Sequence, residues 1–387
     1  MWVRKRHKIV FAILRPFFKV FLFFRFGYRT KNYPLEKKPY LILCNHQNTL
    51  DPFNLALSFK RPIYYMASED LFNKKIGSYF IKKLVAPIPK KKSLSDMQSI
   101  RDCVRISKEG GTIGIFPEGN RTYSGFQCYI DPATVKLIRL LKLPVILYNI
   151  KGGYGVEPRW ASNIRRGKSF GYVKEIIETD EIKSLSDEEL YERIKDGLRV
   201  VETPNELTYR SKKQAEKLER VLYLCPNCGK VGTIYSGGKK VKCHNCDLDV
   251  KYTDNLTLVG NVDFNILNEW YTFQEEYIEN YEFKVDDTIF ADSDIKLYDV
   301  TRGQKKELIV YGQMEIQKEG LFFYNNRGNY TFKLSVVSAM TVLGKNKLNF
   351  YIENRTYQIK GDKAFNALKY MQVYYKLKGE RNELFRL

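Results

Sequence analysis

The chain has 387 residues, a length typical of two or three domains that each bury a core of their own. Hydrophobic residues make up 44% and aromatic residues 14% of the sequence, which excludes a disordered chain on composition. The formal net charge is +21, which favours an anionic partner: nucleic acid, an anionic membrane surface or a phosphorylated substrate. Charge alone does not distinguish these partners.

Residues 1–29 open with basic residues and continue into a Phe-rich apolar segment. Arg15, Lys19 and Arg25 interrupt this segment and Pro16 lies in its middle, whereas a spanning helix needs about 20 nearly uncharged apolar residues. We interpret the segment as one or two helices in a membrane interface, with Phe and Leu buried and the basic side chains reaching lipid phosphates. A helix packed on the protein itself and a signal peptide remain as alternatives, although no small-residue cleavage site follows.

Short apolar runs alternate with amphipathic stretches between residues 30 and 203. The predicted strands are YLILCN, PIYYMAS, TIGIFPE and PVILYNIKG, and the predicted helices are DPFNLALSF, EDLFNKKIGSYFIKKL, SLSDMQSIRDCVRISKEG and ATVKLIRLLKL. Ser186 and Glu189 have the spacing of a capping box and announce a further helix. This alternation predicts an α/β domain in which helices cover a largely buried sheet.

Two polar segments in this domain each follow a predicted strand: NHQNTLD at residues 45–51 and FPEGNRT at residues 116–122. The first contains His46 and Asp51, and the second contains Glu118, Gly119 and Arg121. Strand ends are where catalytic groups usually lie, an Arg there suits bidentate phosphate binding, and Gly allows a ligand to approach the backbone. Taken singly, the first segment could be ordinary turn and cap chemistry and the second a surface ion pair.

Residues 204–254 contain a charged stretch, PNELTYRSKKQAEKLERVLYL, which we predict to be a connecting helix, followed by two Cys-x-x-Cys pairs. Cys225, Cys228, Cys243 and Cys246 enclose a Gly-containing hairpin, a spacing that brings four thiolates to one tetrahedral Zn²⁺. The sequence therefore predicts a zinc ribbon with a structural metal, against the alternative of redox-active pairs, and His244 is expected to be a bystander. The pattern favours a reducing compartment.

Residues 255–387 are predicted to form a β-rich domain that ends in a helix at DKAFNALKYMQVYYKLK. Its aromatic and β-branched runs are separated by short turns, as in IKLYDV, YTFKLSVVSAMTVL and KLNFYIEN. Antiparallel strands capped by one C-terminal helix resemble the pleckstrin-homology or GRAM layout in topology only.

Together the two polar segments resemble the glycerolipid acyltransferase family. NHQNTLD has the family's Asn-His-x4-Asp motif, FPEGNRT resembles its second signature, and LPVILYNI resembles its final Pro-containing strand. The motifs occur in the family's order, and ASEDLFNKKIGSYF falls where the family has a helix that lines the substrate groove. The resemblance covers about residues 30–200.

The resemblance implies a fatty acyl transfer from a thioester donor, acyl-CoA or acyl carrier protein, to a lysophospholipid, with 1-acylglycerol-3-phosphate as the favoured acceptor. His46 would be the general base, Asp51 would orient its imidazole, and no acyl-enzyme or catalytic cofactor would be needed. The absence of a Gly-x-Ser-x-Gly motif agrees with direct transfer. Glu118, Gly119 and Arg121 would belong to the acceptor site.

The chain departs from the family where an Arg-containing block is common, because it has Ile88, Pro89, Lys90 and Lys91 there. Lys90 could neutralise a phosphate as a point charge, but it lacks the guanidinium fork, so another lysolipid or an aminolipid remains an alternative acceptor. We expect a peripheral protein on the cytoplasmic face of an anionic membrane. A zinc-ribbon nucleic-acid-binding protein is the rival from another class, although the ribbon hairpin carries few aromatic residues for base stacking.

Overall fold

The computed structural model describes residues 2–68, 86–90, 97–202, 204–284, 287–301, 305–326 and 328–379. Contacts divide the chain into two compact units. The first contains the residues up to Pro158 and Ile164–Tyr209, and the second contains Arg159–Asn163 and the chain from Arg210 onward. The ribbon and the β-rich region therefore share one unit. The predicted groove-lining helix and Lys91 lie outside the described residues.

The first unit begins with one continuous helix, α1 (Lys5–Phe26), which passes through Pro16. The backbone N–H groups of Trp2 and Val3 donate to Glu109 and fix its start. Its inner face buries three side chains (His7, Leu22 and Phe26). Its outer face exposes a run of apolar side chains (Ile9, Ile13, Phe17, Val20, Phe21, Phe23 and Phe24). In the described part of the chain, no helix has both the length and the apolar character needed to cross a membrane.

The sheet of the first unit has the order β1-β7-β6-β2-β5-β3-β4. Its strands are β1 (Tyr28–Thr30), β2 (Leu41–Cys44), β3 (Ile63–Ser68), β4 (Ile88–Lys90), β5 (Thr112–Ile115), β6 (Val145–Lys151) and β7 (Ser169–Ile177). Strands β2 to β6 run parallel, and β7 runs antiparallel to β6. The strands read from the sequence are confirmed, whereas β1, β4 and β7 were not predicted, and β1 crosses the boundary drawn after residue 29.

Helices cover this sheet as an α/β domain requires. They are α2 (Asp51–Ala56), α3 (Met97–Lys108), α4 (Ala133–Leu141), α5 (Gly153–Val156), α6 (Thr179–Ser184) and α7 (Asp187–Leu198). The capping box of α7 is confirmed, because Ser186 accepts from the Glu189 N–H group while the Glu189 carboxylate accepts from the Ser186 N–H group. Aliphatic side chains of the central strands and of α3, α4 and α7 form the buried core.

The segment predicted to be a connecting helix, residues 204–224, belongs to the first unit up to Tyr209 and to the second from Arg210, and the prediction of a helix was wrong. Residues 204–224 form turns and one short 3-10 helix, Leu218–Arg220. Lys217 has a φ of 77°, which a helix does not allow. The N–H groups of Lys217 and Leu218 donate to Ser236, and that of Ala215 donates to the Gly238 carbonyl. Tertiary partners thus replace the helical hydrogen bonds, and buried side chains occur too densely for one helical face.

Four short antiparallel strands follow as β8 (Ile234–Gly237), β9 (Lys240–Cys243), β10 (Asp249–Tyr252) and β11 (Leu258–Gly260). They form the ribbon hairpin that the sequence predicted. A helix that the sequence did not predict, α8 (Leu267–Asn280), packs on this region, since the Trp270 indole donates to the Leu224 carbonyl at 2.9 Å.

The larger sheet of the second unit has seven antiparallel strands in the order β15-β14-β13-β12-β18-β17-β16. They are β12 (Phe290–Asp299), β13 (Glu307–Ile316), β14 (Gly320–Asn325), β15 (Gly328–Lys333), β16 (Ala339–Leu343), β17 (Lys347–Ile352) and β18 (Arg355–Lys360). The C-terminal helix, α9 (Ala367–Leu377), packs on it through Tyr374, whose hydroxyl donates to the Val337 carbonyl. Strands β12 to β15 form one meander and strands β16 to β18 form a second. The two meanders join where β12 pairs with β18.

Candidate active site

The two polar segments meet because β2 and β5 are neighbours in a parallel sheet. Leu43 pairs with Ile115, so both strands end at the same edge, and His46 and Phe116 follow within two residues of those ends. The carboxyl edge of a parallel sheet is the usual place for a ligand site. The His46 and Phe116 rings pack against each other with their planes at 31° and their centroids 4.5 Å apart.

His46 and Asp51 form the pair that the sequence predicted. The Nδ1 atom of His46 lies 2.8 Å from Oδ2 of Asp51, which is fully buried at the start of α2. The same oxygen accepts from the N–H groups of Gln47 and Asn48, at 2.6 and 2.8 Å. The loop thus wraps around the Asp51 carboxylate, which holds the His46 imidazole in a fixed orientation. The His46 side chain remains 20% exposed.

Asn45 fastens the start of this loop to the neighbouring strand β6. Its side-chain amide donates to the carbonyl of Ile150 at 2.9 Å and accepts from the N–H group of the same residue at 2.7 Å. This pair of bonds continues the β2–β6 ladder by one step after β2 has ended. No role of its own was predicted for Asn45 from the sequence, although it is the first residue of the motif.

Glu118 is buried and connects the second segment to the first. Its Oε1 accepts from the His46 N–H group at 2.9 Å, and its Oε2 accepts from the Cys128 N–H group at 2.8 Å. Burial raises the pKa of Glu118 to about 8, against the lowering effect of these two bonds. The sequence placed Glu118 in the acceptor site, and that role stays a prediction; the contacts favour positioning of His46, whose carbonyl also accepts from Thr122.

Gly119 and Arg121 face outward from the same segment. Gly119 has a φ of 63°, and no other atom lies within 4 Å of the position that a Cβ would take. The left-handed backbone, and not a crowded neighbour, therefore requires glycine there. Arg121 donates to the Thr49 hydroxyl at 3.0 Å. This contact brings the guanidinium to the loop that carries His46.

Glu157 completes this cluster and had no signal in the sequence, because it lies 108 positions from its partner. Its carboxylate accepts from the N–H group of Thr49 at 3.0 Å and from the hydroxyl of Thr49 at 3.2 Å. Thr49 therefore contacts a carboxylate and the Arg121 guanidinium at once. A negative charge beside the proposed phosphate ligand bears on which acceptor the site prefers.

A small recess opens beside His46. Polar groups of the two loops line one part of it, and Phe126, Leu198 and Val200 line another. Cys44, the last residue of β2, is fully buried, and burial raises its thiol pKa well above the usual range. A thiol in this state is a poor nucleophile.

Lys90 ends the edge strand β4 at the same edge of the sheet. Strand β3 separates it from β5, so its backbone is about 10 Å from the strand that leads to Arg121. Its side chain is exposed. Its contact with an acceptor stays a prediction.

The four predicted cysteine ligands converge in the second unit. The sulfur atoms of Cys225, Cys228, Cys243 and Cys246 all lie within 4.8 Å of one another. The separation is 3.5 Å for Cys225 and Cys246 and 3.9 Å for Cys228 and Cys243. Tetrahedral Zn²⁺ with bonds of about 2.3 Å needs sulfurs about 3.8 Å apart, so the cluster fits this ion. His244 stacks on Tyr235 at 4.1 Å between centroids, outside the cluster.

The family model described as Acyltransferase matches residues 25–151. The chain is 38% identical over 109 residues to a 1-acyl-sn-glycerol-3-phosphate acyltransferase of Bacillus subtilis (strain 168), across 27% of this chain and 53% of the relative. A protein of the same name from Saccharomyces cerevisiae is 24% identical over 186 residues, across 45% of this chain and 58% of the relative.

A solved structure, the 1-acyl-sn-glycerophosphate (LPA) acyltransferase PlsC from Thermotoga maritima, aligns with a TM-score of 0.43 and 22% identity, across 51% of this chain and 80% of that one. The chain thus spans little more than half the length of the two curated relatives. The match of the family model contains both polar segments, in agreement with the resemblance inferred from their residues. Residues 25–151 of this chain form a domain of the acyltransferase family.

Proposed function

We propose that this protein transfers a fatty acyl group from a thioester donor to the hydroxyl of a lysophospholipid, with 1-acylglycerol-3-phosphate as the favoured acceptor and phosphatidic acid as the product. The observation that carries the proposal is the 2.8 Å pair of His46 and buried Asp51, whose loop also contains Thr49, the residue that accepts a hydrogen bond from the Arg121 guanidinium. The names of the two curated relatives support the choice of acceptor. Acyl-CoA and acyl carrier protein are both donors to be tested.

In the proposed reaction, His46 acts as the general base. With Nδ1 donating to Asp51, Nε2 carries the lone pair that takes the proton from the acceptor hydroxyl. The acceptor oxygen attacks the thioester carbonyl, and the tetrahedral intermediate collapses by breaking the C–S bond. The imidazolium returns its proton to the thiolate, so the products are the ester and the free thiol. Asp51 stabilises the imidazolium between these two steps.

Arg121 is the proposed ligand of the acceptor phosphate. A guanidinium binds a phosphate through two parallel hydrogen bonds, which fixes the orientation of the acceptor as well as its position. The bond from Arg121 to Thr49 ties it to the loop that carries His46, so the phosphate and the reacting hydroxyl would be held by one structure. Lys90 is proposed as a more distant point charge.

Glu157 favours a second acceptor class. Its carboxylate lies on Thr49, the residue that also receives Arg121, so a dianionic phosphate there would meet a negative charge. An acceptor whose headgroup carries an amine would instead gain a partner for its ammonium. We therefore propose a lysolipid with an ammonium group as the alternative to 1-acylglycerol-3-phosphate.

We propose that α1 holds the protein on an anionic membrane surface. Phe24 is 81% exposed, Ile13 66% and Phe17 64%, and these three share a helix with the other exposed apolar side chains named above. The helix contains basic residues and no acidic one, which complements anionic lipid. A lysolipid acceptor has to be met at such a surface.

We propose that the second unit consists of a structural zinc ribbon and a pleckstrin-homology or GRAM-like module. Four cysteine ligands close the coordination shell of Zn²⁺, which leaves no position for a substrate. The strand order, two meanders joined at β12 and β18 and followed by a helix, supports the likeness of the module.

The test is an assay of the purified protein with acyl-CoA or acyl carrier protein thioesters and three acceptors: 1-acylglycerol-3-phosphate, lysophosphatidylethanolamine and lysophosphatidylcholine. Thiol release gives the rate, and mass spectrometry identifies the product. We expect transfer to 1-acylglycerol-3-phosphate, its loss in His46→Ala, and full activity in His244→Ala, a histidine control far along the chain. Wild-type rates in His46→Ala would refute the general-base mechanism.

The same assay separates the two acceptor classes. Arg121→Gln should raise the KM for 1-acylglycerol-3-phosphate more than for lysophosphatidylcholine, whereas Glu157→Gln should lower it by reducing repulsion. Transfer confined to lysophosphatidylethanolamine in the wild type, and lost in Glu157→Gln, would establish the alternative acceptor and remove the role given to Arg121.

A further inference from the structure

The second unit carries a row of lysines on one face of its larger sheet. Strands β12, β18 and β17 are neighbours, Lys296 pairs with Lys360, and Lys360 pairs with Lys347. Residues that pair across antiparallel strands project to the same face. Three basic side chains thus follow one another across three strands, although like charges directly opposite each other destabilise a sheet.

A fourth lysine reaches the same face from outside the row. Lys306 precedes β13, and its Nζ atom lies 3.8 Å from the ring centroid of Tyr298. The Nζ atom of Lys360 lies 5.3 Å from the centroid of that same ring. Tyr298 is two residues from Lys296 on β12 and therefore shares its face. We call Lys306, Lys347 and Lys360 around Tyr298 the lysine cluster.

Among the described residues, neither Lys306 nor Lys360 forms an ion pair with an Asp or Glu, whereas Lys369 pairs with Asp292 in the same unit. Asp299 follows Tyr298 directly, so it projects to the opposite face. Burial, and then the nearby charges of Lys360 and Lys347, lower the pKa of Lys306 to about 8.

We infer that the lysine cluster binds a phosphate group that carries two negative charges, as a phosphomonoester or pyrophosphate does. Such a ligand would relieve the repulsion between the ammonium groups that the fold brings together, and lysines bind phosphate as adaptable point charges. The Tyr298 ring holds two of the three ammonium groups by cation–π contact and keeps them directed at one place. The phosphate could belong to a lipid headgroup or to a free molecule.

The cluster is separate from the proposed acyl-transfer site, so its test does not depend on transfer. Every protein in the test carries Arg121→Gln, which removes the main phosphate ligand of the proposed transfer site. Lys90 is the same in all three proteins and therefore does not affect the comparison. Titration calorimetry with inorganic pyrophosphate compares three proteins: this background, the background with Lys306→Gln and Lys360→Gln, and a control. The control replaces Lys318 and Lys333, two exposed lysines of the same unit, by Gln and makes the same change in net charge.

We expect the cluster variant to bind pyrophosphate at least about tenfold more weakly, because each lost hydrogen bond to a charged group is worth about that factor. The control should bind as the background does. If pyrophosphate affinity fell equally in the cluster variant and the control, net charge alone would explain the effect and the inference would be overturned. An unchanged affinity in the cluster variant would overturn it as well.

Vesicle binding distinguishes the two sources of the phosphate. The same three proteins are sedimented with phosphatidylcholine vesicles that contain phosphatidic acid, a phosphomonoester, or phosphatidylglycerol, a phosphodiester, at equal surface charge. A preference for phosphatidic acid that only the cluster variant loses assigns the site to a lipid headgroup. A preference that all three proteins share equally, together with weakened pyrophosphate binding in the cluster variant, assigns it to a free phosphate.

Discussion

The substitution Asp51→Asn tests the central pair of the proposed site. Oδ2 of Asp51 accepts from His46 Nδ1 and from two backbone N–H groups, and Asn can keep its carbonyl oxygen in that place. The change therefore removes the negative charge while it preserves the acceptor geometry. Asn54 donates weakly to the other oxygen at 3.4 Å, so the new amide group costs little there.

The size of the effect follows from the charge interaction between Asp51 and the imidazolium proposed to form on His46 during transfer. At about 4 Å between charge centres and an effective dielectric constant of about 20, two unit charges attract by about 4 kcal/mol. Since a factor of ten in rate corresponds to about 1.4 kcal/mol, the kcat for acyl transfer should fall about a thousandfold. The KM for the acceptor should change little, because Asp51 is fully buried.

Thiol release from an acyl thioester, with saturating 1-acylglycerol-3-phosphate, measures this kcat. Asp131→Asn is the matched control, because Asp131 is exposed at the start of α4 and makes a similar local hydrogen bond to Ala133. Thermal unfolding confirms that both variants fold. A kcat within about threefold of the wild type for a folded Asp51→Asn protein would refute the reasoning, because it would mean that no charge develops on His46.

Three further predictions concern other parts of the chain. The native state binds the Glu118 proton more tightly than the unfolded chain does. The free energy of unfolding of the wild type, measured with urea, should therefore fall relative to that of Glu118→Gln as the pH rises from about 5 to about 8. A difference in unfolding free energy between the two proteins that stays constant over this range would contradict the raised pKa. Metal analysis should find one zinc per chain in the wild type and in His244→Ala, and little in Cys225→Ser, whose second unit should unfold at a lower temperature; full zinc in Cys225→Ser would exclude it as a ligand. Phe24→Ser should weaken sedimentation with anionic vesicles at least about tenfold, since burial of one Phe is worth about 1.5–3 kcal/mol, whereas Leu140→Ser, an exposed apolar residue on α4, should not; equal effects would argue against α1 as the membrane contact.

The parts of the site that could be predicted from the sequence are those in which local chemistry and tertiary structure agree. A buried strand followed by His46 and, five positions later, an aspartate that begins a helix is readable as a loop closed on itself. The capping box of α7 was readable for the same reason, because both of its partners lie within one turn. The convergence of the four cysteines was also predictable, because it requires only that a hairpin connect the two Cys-x-x-Cys pairs.

The parts that could not be predicted depend on partners distant in the chain. Glu157 meets Thr49 only after β6 has crossed the sheet, and β1 pairs with β7 across about 140 residues. The wrong prediction of a helix at residues 204–224 has the same origin. The charged residues there have high helical propensity, but the backbone N–H groups instead form hydrogen bonds with Ser236 and Gly238. Tertiary contacts, which no local sequence pattern reveals, therefore outweighed helical propensity in this segment.

The backbone of His46 joins the two polar segments into one structure. Its N–H group donates to Glu118 and its carbonyl accepts from Thr122, so the second segment holds the first by both sides of one residue. Residues of the second segment should then divide by what they contact. Glu118 would act through the position of the base and affect kcat, whereas Arg121, which reaches the site through Thr49, would act on the acceptor and affect KM. This separation explains why a family signature would need both motifs: the first supplies the base and the second fixes its place while presenting a cation to the substrate.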